Sequence, residues 1–158
     1  MSVRIGQGID IHRFSDDPHR PLVLGGIVIE GARGLGGHSD ADAVCHALAD
    51  AVLGAVGLGD LGRHFPDTDP VWEGANSVGL LREVVRMAGE QGFTPVNGDC
   101  TVVADTPRLA PHTGAMATLL SDVFGGPVSV KATRAEGIGA LGRAAGIAAM
   151  AIVLLEEV

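Results

Sequence analysis

Tyrosine is absent from this chain and cysteine occurs only twice, whereas glycine occurs 24 times in 158 residues. So much glycine points to many tight turns and close backbone approaches. Cys45 and Cys100 lie far apart and form no C-x-x-C pair, which argues against a disulfide framework and against a thiolate zinc site. With Cys45 inside a helical pattern and Cys100 inside a strand pattern, each is expected to act as a small buried hydrophobe. Positive charge is scarce as well: the formal net charge of −8 argues against nucleic acid or an anionic membrane as partner. An anionic small molecule would need local help from metal ions, helix N-termini or a few placed basic groups. Long apolar runs are also missing. Ala144 to Leu155, interrupted by Gly146, falls short of the ~20 residues of a spanning helix and reads as a buried strand. Met1-Ser-Val-Arg-Ile has no apolar signal core, so the cytoplasm is the expected address.

What is present alternates between strand and helix patterns. Residues 3–11 read as a strand, and Leu22–Leu24 with Ile27–Ile29 as a hairpin turning at Gly25-Gly26. A helix is expected from about Asp40 to Val56, with Ser39 or Asp40 as its N-cap. Val44, Leu48, Val52 and Leu53 keep helical spacing there, and Gly57-Leu58-Gly59 ends it. Helices over about 76–91 and 109–124, the second with Pro111 in its first turn, alternate with strands over 93–104, 128–133 and 147–155. The pattern predicts one domain over residues 1–158 with an α+β fold, an α/β two-layer sandwich. Helices would pack on one face of a mixed four-stranded sheet, with the small β-hairpin beside it.

On this pattern Asp10 and His12 share one face of the first strand, and Asp42 and His46 one face of the first helix. Asp10, His12 and His46 could then converge on one ion. Two imidazoles and one carboxylate suit Zn²⁺ and leave a fourth tetrahedral position for water or a substrate oxygen. The plainer alternative is a turn carboxylate beside a half-exposed histidine. Asp42 is expected either to orient His46 or to bind a neighbouring backbone group. His19, His64 and His112 read as surface or loop residues.

Three motifs occur in order: Arg4-Ile5-Gly6-x-Gly8-x-Asp10-x-His12, then Gly37-His38-Ser39-Asp40-x-Asp42-x₃-His46, then Leu58-Gly59-Asp60-Leu61-Gly62 continuing through Phe65-Pro66-Asp67-Thr68-Asp69-Pro70. Together they resemble the 2-C-methyl-D-erythritol 2,4-cyclodiphosphate synthase family of the non-mevalonate isoprenoid pathway, and the likeness runs over essentially the whole chain. The resemblance implies a homotrimer with active sites between neighbouring subunits. It also implies a cytidine diphosphate-linked substrate, 4-diphosphocytidyl-2-C-methyl-D-erythritol 2-phosphate. In that reaction the 2-phosphate attacks the β-phosphorus and CMP leaves, a step that asks for positioning and charge neutralisation rather than a covalent intermediate.

The same resemblance assigns Zn²⁺ to Asp10, His12 and His46, and a second divalent ion, Mg²⁺ or Mn²⁺, to Glu136. It assigns His38 to transition-state stabilisation and Ser39 to the substrate, although helix-flanking and N-cap roles would explain both. Asp60, Leu61, Gly62, Phe65, Pro66, Asp67, Thr68 and Asp69 correspond to a substrate-lining segment; read alone, Pro66 to Pro70 is turn chemistry. Ala104, Asp105, Thr106, Pro107, Arg108, Leu109 and Ala110 correspond to a cytidine-binding loop, and Thr133 to a further substrate contact.

The chain departs from the family pattern at three places. Arg134 stands at a threonine position tied to the transition state; a guanidinium there binds phosphate more strongly than a hydroxyl, or else fills space and competes with the metal at Glu136. Ala140 replaces a pocket phenylalanine. In Gly142-Arg143-Ala144-Ala145-Gly146 the family's acid is missing, while Arg143 remains to bind an anion at the trimer axis. Two other functions stay open from sequence: a zinc-dependent phosphohydrolase acting on a nucleoside diphosphate ester, and a non-catalytic nucleotide-binding trimer.

Overall fold

The computed structural model describes residues 1–158. Its first strand, β1 (Val3–Arg13), divides its side chains between two environments. Gly6 and Gly8 are buried on the helix side, while Val3, Ile5, Ile9 and Ile11 on the other side are more than half exposed. A hairpin of β2 (Leu22–Leu24) and β3 (Ile27–Ile29) follows and forms a separate two-stranded sheet. β4 (Phe93–Val103), β5 (Val128–Thr133) and β6 (Gly146–Glu157) complete a four-stranded sheet of order β1-β6-β4-β5. β6 pairs antiparallel with both β1 and β4, and β5 runs parallel to β4. The mixed sheet and hairpin therefore match the sequence expectation.

The central helix α1 (Ala43–Ala55) is buried almost all round. Its alanine row, Ala47, Ala51 and Ala55, rests on the two glycines of β1: a Cβ added at Gly6 would lie 1.8 Å from the Ala51 carbonyl oxygen, and one at Gly8 1.9 Å from that of Ala47. This small-on-small contact brings the α1 backbone against the strand. α3 (Ser77–Glu90) covers α1 with Leu80, Leu81, Val84 and Ala88, and α4 (Thr113–Phe124) lies against β5. Two short helices, α2 (Leu61–His64) and α5 (Gly139–Gly142), and a 3₁₀ turn at Pro70–Trp72 were not legible in the sequence. The sheet face opposite the helices stays uncovered and carries Val3, Ile5, Ile9, Ile11 and Ile152.

Two helix starts differ from expectation. The cap of α1 is Asp42, not Ser39 or Asp40, and Ala41 before it has φ 56°, which breaks any helix running in from upstream. Asp42 accepts hydrogen bonds from the N–H groups of Val44 and Cys45, and also from Gly25 (2.8 Å) and Gly26 (2.7 Å) in the hairpin turn. It thus anchors backbone rather than orienting His46. α4 begins at Thr113, so Pro111 lies before the helix; proline disfavours helical geometry at the residue preceding it, and residues 109–112 form a turn closed by His112 N–H to the Leu109 carbonyl (2.8 Å).

Candidate metal centre

His12 and Asp10 project from β1 on its helix side, and His46 from α1 one residue before the alanine that touches Gly8. Asp10 Oδ2 lies 2.8 Å from His12 Nε2 and 3.1 Å from His46 Nδ1, and the two imidazole nitrogens are 3.4 Å apart. A tetrahedral metal with bonds of about 2.05 Å needs ligand atoms about 3.3 Å apart. The trio fits such an ion after movements of a few tenths of an ångström at Asp10. No other cluster of His, Cys, Asp and Glu in the chain meets this geometry. A larger groove of about 690 Å³, between Ser15–Pro21 and Val28–Arg33, contains no such cluster.

Burial pushes the Asp10 carboxyl up, but hydrogen bonds and charge from His12 and His46 outweigh it and hold it at about 2. Burial lowers His12, and the bond and charge of Asp10 more than reverse this, so its affinity for a proton is raised. His12 Nδ1–H donates to the Gly36 carbonyl (2.8 Å), which leaves Nε2 as the atom facing the trio.

The trio sits in a cleft of about 410 Å³ that His38, Ser39, Asp60, Leu61, Gly62, Phe65 and Asp67 also line. All were singled out from sequence. Three other expected residues do not line it: Pro66, Thr68 and Asp69 lie in the turn behind, where Asp69 Oδ1 accepts from Val71 N–H (3.0 Å) and so caps the 3₁₀ turn. The plain turn-chemistry reading thus describes Asp69. The Asp69 carbonyl lies 3.4 Å from His38 Nε2. Asp50, Trp72 and Leu80 line the cleft unforeseen. Asp50 carried a usable signal, since it follows His46 by four residues on a helix and so shares its face. Its carboxyl is raised by burial, against the Leu61 N–H bond, with further upward push from the charges of Asp60 and Asp10. Trp72 packs edge-on against Phe65, with ring centroids 4.9 Å apart. Four carboxylates and not one Lys or Arg line this cleft, so an anionic ligand requires a cation there.

Most of the remaining expected residues form a different place. Ala104 to Ala110, with Thr133 and Arg134, line a second cleft of about 530 Å³ that shares no residue with the first. Its basic groups are Arg108 and Arg134; Arg134 Nη2–H donates to the Asp105 carbonyl (3.4 Å). The sheet register explains the separation. Asp10 pairs with Ala149, Ala149 with Val102, and Val102 with Ala132. The trio and the end of β5 are therefore three strand spacings apart, about 14 Å. Glu136, at φ 52° in the loop after β5, is exposed, and no hydrogen bond or ion pair engages its carboxylate. Arg143 is exposed and caps α5, outside both clefts.

The family model described as the YgbB family matches residues 3–156. The 2-C-methyl-D-erythritol 2,4-cyclodiphosphate synthase of Laribacter hongkongensis is 55% identical over 160 residues, covering 99% of this chain and 98% of its own. A solved structure of a 2C-methyl-D-erythritol-2,4-cyclodiphosphate synthase in a CDP-bound form is 39% identical with a TM-score of 0.87, covering 97% of this chain and 100% of that one. The bifunctional IspDF of Campylobacter jejuni is 38% identical with a TM-score of 0.94; it covers 99% of this chain, which spans 43% of that longer protein.

Proposed function

The chain belongs to the YgbB family, whose curated relatives are 2-C-methyl-D-erythritol 2,4-cyclodiphosphate synthases, and on that premise we propose how its residues perform the reaction. The enzyme is a phosphorus–oxygen lyase of isoprenoid precursor biosynthesis. It converts 4-diphosphocytidyl-2-C-methyl-D-erythritol 2-phosphate to the 2,4-cyclodiphosphate and CMP. The substrate's 2-phosphate oxygen forms the new bond to the β-phosphorus as the bond to the CMP oxygen breaks.

The observation that carries the proposal is the trio of ligating atoms at the base of an acidic cleft. Asp10, His12 and His46 would hold Zn²⁺, and the free carboxylate of Glu136 would hold Mg²⁺ or Mn²⁺. Held by these residues, the two cations would supply charge neutralisation for the phosphates. His38 and Ser39 contact the phosphorylated erythritol end, with His38 placed to donate toward charge that develops on phosphate. Asp60, Leu61, Gly62, Phe65 and Asp67 wall the sugar, and Phe65 with Trp72 limits water access. Pro66, Thr68 and Asp69 shape that wall from behind. The loop Ala104 to Ala110 takes the cytidine, its backbone groups reading the base. Thr133 and Arg134 bind the diphosphate, and the guanidinium of Arg134 does so with charge-assisted bonds where a threonine would offer one hydroxyl.

The two clefts of one chain are too far apart to share a diphosphate. A homotrimer with each site between adjacent subunits would join the acidic cleft of one copy to the basic cleft of the next. The uncovered aliphatic face of the sheet supports that assembly, since so large an apolar patch on one domain calls for a partner surface. Arg143 is assigned to an anion site at the trimer axis. Residues 1–158 would act as one domain, in the cytoplasm; no helix is long and apolar enough to cross a membrane.

The test is incubation of the protein with the cytidyl substrate under defined Zn²⁺ and Mg²⁺, with both products identified. Cyclic diphosphate plus CMP is expected. An uncyclised phosphate would instead mark a phosphohydrolase, and cytidine-nucleotide binding without turnover a non-catalytic trimer.

A further inference from the structure

Behind His46 a polar chain runs away from the cleft into the protein. His46 Nε2 is 2.8 Å from Ser77 Oγ, and the Ser77 hydroxyl donates to Asp40 Oδ1. Ser77 is 1% exposed and opens α3. Its backbone N–H donates to Asp40 Oδ2 (3.0 Å), so a single carboxylate takes both donors of a single serine.

The direction of these bonds follows from valence. An ionised carboxylate accepts and cannot donate, and a serine hydroxyl has one proton. With that proton committed to Asp40, Ser77 Oγ offers only lone pairs to the imidazole, so His46 Nε2 must carry hydrogen and donate it. In a neutral ring the free lone pair then lies on Nδ1, the atom that faces Asp10 Oδ2 at 3.1 Å and His12 Nε2 at 3.4 Å. Ser39 Oγ is also within 3.2 Å of Nε2, but its proton is bound to no carboxylate, so Ser39 can donate or accept and imposes no tautomer. Backbone bonds fasten the same region: Asp40 N–H donates to the Ala75 carbonyl (3.1 Å) and Gly74 N–H to the His38 carbonyl (2.9 Å). The metal ligand, the His38 loop and the start of α3 are thus clasped together.

We propose that Asp40 and Ser77 are positioning residues for the metal site, holding His46 in the Nε2–H tautomer with Nδ1 free for the cation. The proposal rests on the reading that Asp10, His12 and His46 bind metal. An outer partner that fixes a histidine ligand's tautomer commonly carries tenfold to hundredfold of metal affinity.

The test uses zinc alone as probe, with chelator competition giving the dissociation constant for the wild-type protein and for Ser77→Ala, Asp40→Asn and Ser39→Ala. Ser77→Ala is expected to weaken zinc about 10–100-fold and to move the visible absorption of the Co²⁺-loaded protein. Asp40→Asn should act in the same direction, and Ser39→Ala should change zinc affinity by less than about threefold. A merely structural role would lower the Tm of the metal-free protein without moving the Co²⁺ spectrum, and that result would overturn the proposal. The ¹⁵N shifts of the imidazoles in zinc-loaded wild-type protein give a readout that needs no variant: His46 protonated on Nδ1 and ligating through Nε2 overturns it. If wild-type protein takes up zinc and the variants bind it equally well, this proposal alone fails. If wild-type protein takes up none, the metal reading fails and the proposal with it.

Discussion

Gly8→Ala tests the packing that sets the metal site, because it changes no ligand and adds one methyl. That methyl carbon would lie 1.9 Å from the Ala47 carbonyl oxygen, 2.7 Å from the Ala51 nitrogen and 2.9 Å from the Ala47 carbonyl carbon. Every obstructing atom is backbone, so no side chain can rotate aside. α1 must withdraw from β1 by about 1 Å or more before the contact becomes tolerable. His46 precedes Ala47 and Asp10 follows Gly8 by two residues, so the withdrawal falls directly on the trio. Metal–ligand distances tolerate about 0.2 Å. A displacement several times larger should cost at least about 100-fold in zinc affinity. Overpacking of a core ordinarily costs about 1–3 kcal/mol, and this case belongs at the upper end because the backbone itself must move. Urea unfolding of the metal-free protein and chelator competition for zinc measure the two effects. Gly89→Ala is the control: a Cβ there meets nothing within 4 Å and sits inside α3, so stability should stay level or rise by about 0.5–1 kcal/mol. A Gly8→Ala protein with wild-type stability and zinc affinity would refute the claim that glycine spacing sets the site.

His46→Ala should lose zinc and CMP release, and Glu136→Gln should lose turnover; mixing the two inactive proteins with subunit exchange should restore about a quarter of full activity, since one shared site in four would join an intact His46 from one copy to an intact Glu136 from its neighbour. No recovery after verified exchange would mean that each chain houses its own complete site. Metal-free protein should lose stability in acid through Asp10: its folded value of about 2 lies below the ordinary 3.8, so the stabilisation is present above pH 3.8 and drains as pH falls toward 2. The loss approaches about 2 kcal/mol, and Asp10→Asn should flatten it in a urea-midpoint series; an unchanged slope would count against the Asp10–imidazole contacts. The raised value of His12 works at the other end, its stabilisation being full below pH 6.5 and lost as pH rises through the folded value. Arg134→Thr should raise KM for the cytidyl substrate about tenfold, one charge-assisted phosphate bond, and a lower KM would mean that the guanidinium obstructs the diphosphate.

Much of this was legible because strong periodicity and side-chain chemistry coincide. The alternation of β1, the helical spacing of α1 and α3, and the glycine stops left few alternatives for the sheet and its helices. The ligand trio was legible for the same reason, as the spacing Asp10-x-His12 fixes a strand face. What escaped depends on choices among equivalent residues. Ser39, Asp40 and Asp42 are all good caps, and only the left-handed turn at Ala41 and the hairpin N–H groups of Gly25 and Gly26 select Asp42. α2 is a single turn, too short to show a period, although Asp60 caps it by accepting from Arg63 N–H (3.0 Å). Ser77 carries no local signal at all, because its role arises from a long-range meeting with Asp40 and His46.

The charge of the chain and the geometry of its two clefts bear on each other. A protein with net charge −8 binds an anionic diphosphate only where its field is locally reversed. Neither cleft achieves this alone: one is lined by Asp10, Asp50, Asp60 and Asp67, and the other has Arg108 and Arg134 but no cluster of metal ligands. They stand at opposite edges of one sheet, where folding within the chain cannot bring them together. The proposed association of copies would bring them together, and the aliphatic face between those edges offers apolar area that could drive it. In the proposed trimer the acidic half would hold Zn²⁺, and the half carrying Arg108, Arg134 and Glu136 the second cation and the nucleotide's phosphates. An isolated subunit should therefore bind zinc through its own Asp10, His12 and His46 and yet release no CMP, a separation that a monomeric variant, made by placing charge at Ile5 and Ile9, would reveal by metal binding without turnover.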